Sequence, residues 1–227
     1  LLGWGLGPEA LSEFDRAESA DHKLDTQPFF RALRGVAGVL SHRNAEAVAD
    51  LSISALAIDP YAAAWRGLAR AELGQAALAR KDFELAKPVI ASFDPAFQAK
   101  VYIEAARAAL ADNEPSLAQS YLLRLVPAID DPRLRAEADF LRGELFERMN
   151  QSDEAVLAYG RAIVTEFRPV AIRARYARAL LLNRLGKLAD AALADEIDRL
   201  RMAWRGDEFE LRMLSKLAEL RLAQGEV

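Results

Sequence analysis

The sequence predicts an all-α chain, an α-solenoid of antiparallel helix pairs with no sheet, and three observations predict it. Of the 227 residues 52% are hydrophobic and only 8% aromatic, and alanine is frequent where β-branched runs are few, a balance that favours helix. The stretch Ala136 to Ile163 reads as two short amphipathic helices joined by a polar turn. Its spacing then returns along the chain, as it must if two helices cannot bury both of their apolar faces without neighbours.

Within that stretch, Ala155, Val156, Tyr159, Ala162 and Ile163 fall at i, i+1, i+4, i+7 and i+8, one face of a helix with ~3.6 residues per turn. Ala155 and Ala162 admit a close neighbour, and Tyr159 fills the space between them. Asp153, Glu154 and Arg161 are left for solvent, so Arg161→Glu is expected to cost no more than about 0.5 kcal/mol. The preceding helix repeats the arrangement with Ala138, Leu141, Leu145, Phe146 and Met149, and Asn150, Gln151 and Ser152 supply the break of a helix hairpin.

With the first small residue of each second helix as marker, the repeats fall at Ala10, Ala47, Ala79, Ala118, Ala155 and Ala191, in steps of 37, 32, 39, 37 and 36 residues. Ala79 is followed by Phe83 and Ala86, Gly67 precedes Ala79 by the interval that separates Gly143 from Ala155, and Gly74 and Gly186 occupy turns. Gly143 with Phe146, and Ala155 with Tyr159 and Ala162, resemble the tetratricopeptide repeat, whose period is ~34 residues. Departures are Asp139 at that family's Trp position, Arg142 at its Leu position, and a closing proline that arrives about two residues late, at Pro169. The resemblance implies a right-handed superhelix over 1–227 as a single domain of about six helix pairs, the first and last truncated.

In chain order, Leu1 to Gly7 reads as a helix end and glycine turn, and Pro8 opens the second helix of a cut pair. Gly3, Gly5 and Gly7 are no dinucleotide fingerprint, because no strand precedes them and Pro8 stands where glycine is needed. Asp59-Pro60, Asp94-Pro95 and Asp131-Pro132 read as helix starts, Asp capping and Pro taking the first position, where no amide hydrogen is required. Pro28 and Pro169 open first helices without the Asp. Ser52, Ile53 and Ser54 interrupt the helical pattern and make the second pair irregular. Gly206 reads as a stop, and Asp207 with Glu210 as a capping box that starts the last helix. The end units, to Gly7 and from Asp207, leave apolar faces without sequence-local mates, so self-association through these ends is expected.

Composition narrows the function. A net charge of −4 and a pI near 5.4 supply no basic field for nucleic acid. No run approaches ~18 uncharged apolar residues, so no direct membrane insertion is expected. The absence of cysteine removes disulfides and thiolate chemistry. His22 and His42 have no metal-ligand neighbours at helical spacing and read as surface residues. Asp195, Glu196 and Asp198 lack the alternating ligands and glycine of a calcium loop, and read as a solvated face. Arg205-Gly206-Asp207 is better explained by capping than as an adhesion motif. No cofactor, metal or catalytic apparatus is expected.

The resemblance also assigns a surface. Lys100, Arg107, Phe140, Glu144, Arg148, Arg173, Tyr176 and Arg184 match first-helix positions that line the concave face in that family, with Glu147, Asn183 and Arg212 beside them. It implies an interaction scaffold, not an enzyme, that holds a peptide or helix of a partner protein in the groove. The alternative is the regulatory or targeting repeat domain of a larger enzyme whose catalytic domain lies elsewhere.

Overall fold

A computed structural model of the chain describes residues 1–125, 131–205, 208–223 and 225. Among these residues there are twelve α-helices and no strand. Two compact units are present, Leu1–Val126 and Pro127–Val227. Unit 1 holds α1 (Gly7–Ala20), α2 (Pro28–Leu40), α3 (Asn44–Leu51), α4 (Pro60–Glu72), α5 (Ala76–Ile90), α6 (Pro95–Ala111) and α7 (Pro115–Leu122). Unit 2 holds α8 (Pro132–Arg148), α9 (Ser152–Ile163), α10 (Arg168–Arg184), α11 (Asp190–Ala203) and α12 (Glu208–Ala223). The helices α2, α4, α6, α8 and α10 are first helices, each followed by its partner. In unit 1 α3 packs on α4 and α5 on α6, and in unit 2 α9 packs on α10.

The pairs are built alike because their turns are. The second residue past the end of α2, α4, α6, α8 and α10 is left-handed, in order His42, Gly74, Asn113, Asn150 and Gly186, with φ between 57° and 71°. In each turn the next amide reaches back five residues: Arg43 N–H donates to Gly38 O at 2.9 Å, Gln75 to Arg70 at 2.9 Å and Gln151 to Phe146 at 2.8 Å. This is a Schellman closure, which satisfies carbonyls that a helix end would leave unpaired. His42 is therefore a turn residue, and His22 lies exposed in a short 3₁₀ turn. The Asp-Pro starts are as the sequence predicts: Asp59 accepts from Ala62 N–H at 2.7 Å, Asp94 from Ala96 and Phe97, and Asp131 from Arg133 at 2.8 Å. Ser54–Leu56 forms a 3₁₀ turn after α3, as the interrupted pattern there suggests.

Three of the pairs, α2–α3, α4–α5 and α8–α9, close on a glycine. A Cβ on Gly143 would lie 2.3 Å from the Tyr159 ring, one on Gly67 2.8 Å from Phe83, and one on Gly35 2.6 Å from Leu51. All three contacts join residues sixteen apart, so one geometry recurs in both units. Ala10, Ala47, Ala79, Ala118 and Ala155 are buried as predicted. Ala191 is exposed, and Leu193, Ile197 and Leu200 take the places that Ala155, Tyr159 and Ala162 hold in α9. The reason is the turn. Four turns enter the next helix two residues after the left-handed one, whereas α11 starts four after Gly186, which moves the buried set along by two.

Two other expectations divide. Gly206 and Asp207 lie outside the described residues. On α12, Phe209, Met213, Leu217 and Leu220 are buried while Leu211, Leu214 and Leu222 are exposed.

Ala162 is fully buried, and Ala162→Glu is expected to lower unfolding stability by roughly 3 kcal/mol or more, as a charge is driven between helices. Arg161 is exposed but not idle, since its Nε lies 3.2 Å from Oδ1 of the mostly buried Asp139, which also accepts from Arg142 at 3.0 Å. Arg161→Glu sets a second carboxylate against the first. A loss of about 1 to 2 kcal/mol in urea melts is expected, with Arg161→Ala losing under about 1 kcal/mol.

Candidate functional site

The polar groups that the fold consumes must be separated from those it offers. In unit 1, Arg66 is 4% exposed and donates through Nε and Nη2 to Asp82 Oδ1 at 2.9 and 2.7 Å. Its remaining donors reach the carbonyls of Leu51 (2.7 Å), Leu56 and Ala57, so one guanidinium ties α4 to α5 and to the chain between α3 and α4. Arg70 binds the other Asp82 oxygen at 2.7 Å. Arg34 grips both oxygens of Asp50, Nε donating to Oδ2 at 2.7 Å and Nη2 to Oδ1 at 2.8 Å, and extends to Glu18 and Asp25. Neither pair is evident from helical periodicity alone. A signal exists nonetheless, because Arg-Gly recurs at 34–35 and 66–67 with Asp sixteen residues after each Arg.

Unit 2 carries six of the eight predicted site residues. On α10, Arg173, Tyr176, Leu180 and Arg184 follow i, i+3, i+7 and i+11, and on α8 Glu137, Phe140, Glu144 and Arg148 do the same, so each set lines one helix face. The two rows are in register. Arg173 pairs with Glu137 and places its guanidinium 5.0 Å from the centre of the Phe140 ring, and Arg184 pairs with Glu147 at the other end. Phe140, only 7% exposed, lies beneath this surface and packs on Tyr159. Arg148 is exposed, and Glu144 is half-buried. Tyr176 stands edge-on to Phe209 at 5.3 Å and its hydroxyl donates to Arg212 O at 3.4 Å. Burial pushes the Tyr176 phenol up from its ordinary value. Asn183 is spent locally, donating to Leu188 O and Asp190 at 2.9 and 2.7 Å.

The other two predicted residues belong to unit 1. Lys100 is exposed on α6, and Arg107 is half-buried with its Nε 3.2 Å from Glu104. Near Lys100 lies a cluster that the sequence reading did not single out. Tyr61 meets Phe93 at 5.8 Å, Phe93 meets Phe97 at 4.7 Å, and Trp65 meets Phe97 at 4.4 Å. The clue available was the recurrence of Phe29 and Tyr61 six residues before Gly35 and Gly67.

Among the described residues no group of three or more His, Asp or Glu could hold a metal ion, and no helix is long and apolar enough to cross a membrane. Two of the acidic set Asp195, Glu196 and Asp198 on α11 are paired: Glu196 with Arg175 and Arg199, and Asp198 with Arg201 and Arg221, and the hydrogen bond from Arg201, helped by the charges of both arginines, holds the Asp198 carboxyl below its usual range. What the first-helix faces carry is charge, ring surface and hydrogen-bonding groups.

No protein-family model matches the chain, and no curated protein does. Two solved structures share its fold. A tetratricopeptide repeat protein from Parabacteroides merdae is 14% identical with a TM-score of 0.66, over 97% of this chain and 81% of that one. The apo form of the quorum sensor NprR from B. thuringiensis is 17% identical with a TM-score of 0.61, over 96% of this chain and 66% of that one. The chain therefore has a tetratricopeptide-repeat-like helical fold, as the spacing of its small residues predicts.

One titration reports on these pairs. Burial, reinforced by the hydrogen bond its hydroxyl donates to Glu147 at 2.6 Å, raises the Tyr159 phenol far above its ordinary value, and burial also raises Tyr121. The neutral phenol is the folded form, so its contribution is complete below the unfolded tyrosine pKa of ~10 and is lost as pH rises from there. Urea midpoints should fall above that pH. Tyr159→Phe should flatten the fall while costing about 1 to 2 kcal/mol at neutral pH, through the lost bond to a carboxylate.

Proposed function

We propose that the chain is a protein-interaction scaffold without catalytic activity, holding a peptide or helix of a partner protein on the faces of its first helices. The observation that carries this reading is the registered pair of rows on α8 and α10, where Arg173, Tyr176, Arg184, Glu144 and Arg148 share one surface of unit 2. Rows of this kind present side chains at fixed intervals on rigid elements, which suits a ligand longer than a single residue. A neighbour in fold that is a quorum sensor is in keeping with a recognition role.

The test begins with capture and identification of a partner by the immobilised full chain, followed by affinity measurement. Arg148→Glu combined with Arg184→Gln is expected to weaken binding about tenfold or more, some 1.4 kcal/mol, with helicity unchanged. Glu154→Lys, on the exposed side of α9, is expected to leave affinity as it was. Binding that survives the double change and fails on the α9 change would move the site to the second helices.

A further inference from the structure

On α4 and at the entry to α6, Tyr61, Trp65, Phe93 and Phe97 make a continuous ring surface with centroid separations of 4.4 to 5.8 Å. Rings this close fill the space between themselves, so they form a platform and not a cage. Tyr61 is 50% exposed, and Phe29, at the equivalent position on α2, is 74% exposed. Aromatic rings left open to water, in a chain only 8% aromatic, mark a contact surface.

The polar groups around the platform narrow what it takes. Ser92 donates its hydroxyl proton to Val89 O at 2.7 Å, so in its 3.4 Å contact with Tyr61 the phenol is the donor, at a distance long enough for a better-placed carbonyl to take that proton over. The indole N–H of Trp65 makes no hydrogen bond to the described residues and is not sealed from solvent. The nearby carboxylates of Asp59 and Asp94 accept from backbone amides at the starts of α4 and α6. Lys100, three residues beyond Phe97 on α6, is exposed and makes no ion pair with the described residues. The platform thus offers ring faces, two neutral donors and one cation.

We propose that it binds a proline-rich segment of a partner protein in the polyproline II conformation, with a carboxylate of the segment on Lys100; this rests on the reading of the first helices as a partner-binding surface. A helical ligand spends its carbonyls on its own amides and has none for Tyr61 and Trp65. A β-strand ligand needs a sheet edge, and there is none among the described residues. Polyproline II leaves its carbonyls unpaired, lays pyrrolidine rings on aromatic faces, and is ordered before it binds, so little entropy is lost.

The experiment is isothermal titration of the full chain with a proline decamer bearing a free C-terminal carboxylate. An alanine-based helical peptide of equal length and terminal charge serves as comparison. Saturable binding of the decamer alone is expected, weakened at least about tenfold by Tyr61→Ala with Lys100→Glu, both on exposed side chains, and unchanged by Arg148→Glu with Arg184→Gln on unit 2. Tyr61→Phe, which keeps the ring and removes the donor, is expected to weaken it by a smaller factor. No saturable binding, equal binding of the helical peptide, or insensitivity to the Tyr61 and Lys100 changes overturns the proposal. Should a captured partner depend on Arg148 and Arg184 while the decamer fails to bind, this inference falls and the scaffold reading stands; decamer binding without any dependence of a partner on unit 2 keeps this inference and removes α8 and α10 as the site.

Discussion

The close approach of a first helix to its partner at a residue with no side chain, in the pairs α2–α3, α4–α5 and α8–α9, is the constraint on which the rest depends. Gly143 lets the Tyr159 ring lie against the α8 backbone, and any Cβ there would have to displace that ring. Tyr159 cannot yield easily. It is buried on all sides, and its hydroxyl is held by Glu147, which also receives Arg184 from α10. Packing inside one pair is thus linked to the position of a charged side chain on the surface of the next, through a glycine, a phenol and a carboxylate.

A second constraint operates in unit 1, where the chain buries charge. Arg66 and Asp82 are nearly inaccessible, and the desolvation of both ions offsets much of their attraction. What the pair enforces is register. Removal of either partner would strand the other in the core at a cost of about 3 to 5 kcal/mol, so slippage of α4 against α5 is penalised more steeply than hydrophobic contacts would penalise it. Arg66 also closes carbonyls left open where α3 gives way to a 3₁₀ turn, so the irregular second pair is tied down by a side chain of the third. In unit 2 the corresponding role is met differently, by Asp139 with Arg142 and Arg161, and there the cations stay partly in water.

Helix pairing was readable from the sequence because it rests on local chemistry: alanine spacing, proline at helix starts and glycine or asparagine after helix ends each act within one turn of helix. Where two extra residues entered after Gly186, that chemistry gave no warning, and Ala191 took the place that belongs to Leu193. The surface was less readable. Positions carried over from repeat proteins place α8 and α10 side chains on one face, but not which of them reaches solvent: Phe140 lies under Arg173, and Asn183 turns back to bind Asp190. The first outcome depends on a neighbour thirty-three residues away and the second on the lengthened turn between α10 and α11, and periodicity within a helix encodes neither. Tyr61 and Phe97 are separated in the same way, on successive first helices.

Side chains that look most like binding groups in a sequence are often those that a helical stack uses to hold its own rows together. Arg173 and Arg184 are committed to Glu137 and Glu147, and a ligand carboxylate would have to compete with an anion already in place. Competition of this kind costs little at Arg184, which is 62% exposed and whose pairing is largely screened, and more at Arg173, which also rests on a ring. Neutral donors that are unbonded or only weakly held face less competition. A phenol or indole N–H at a wet surface exchanges only water for a carbonyl, and the ring beneath it supplies contact area at small entropic loss. By that measure the weakly held Tyr61 hydroxyl and the Trp65 indole, which makes no hydrogen bond to the described residues, are better indicators of where this chain could bind a partner than its arginines, even though charge is what composition displays first.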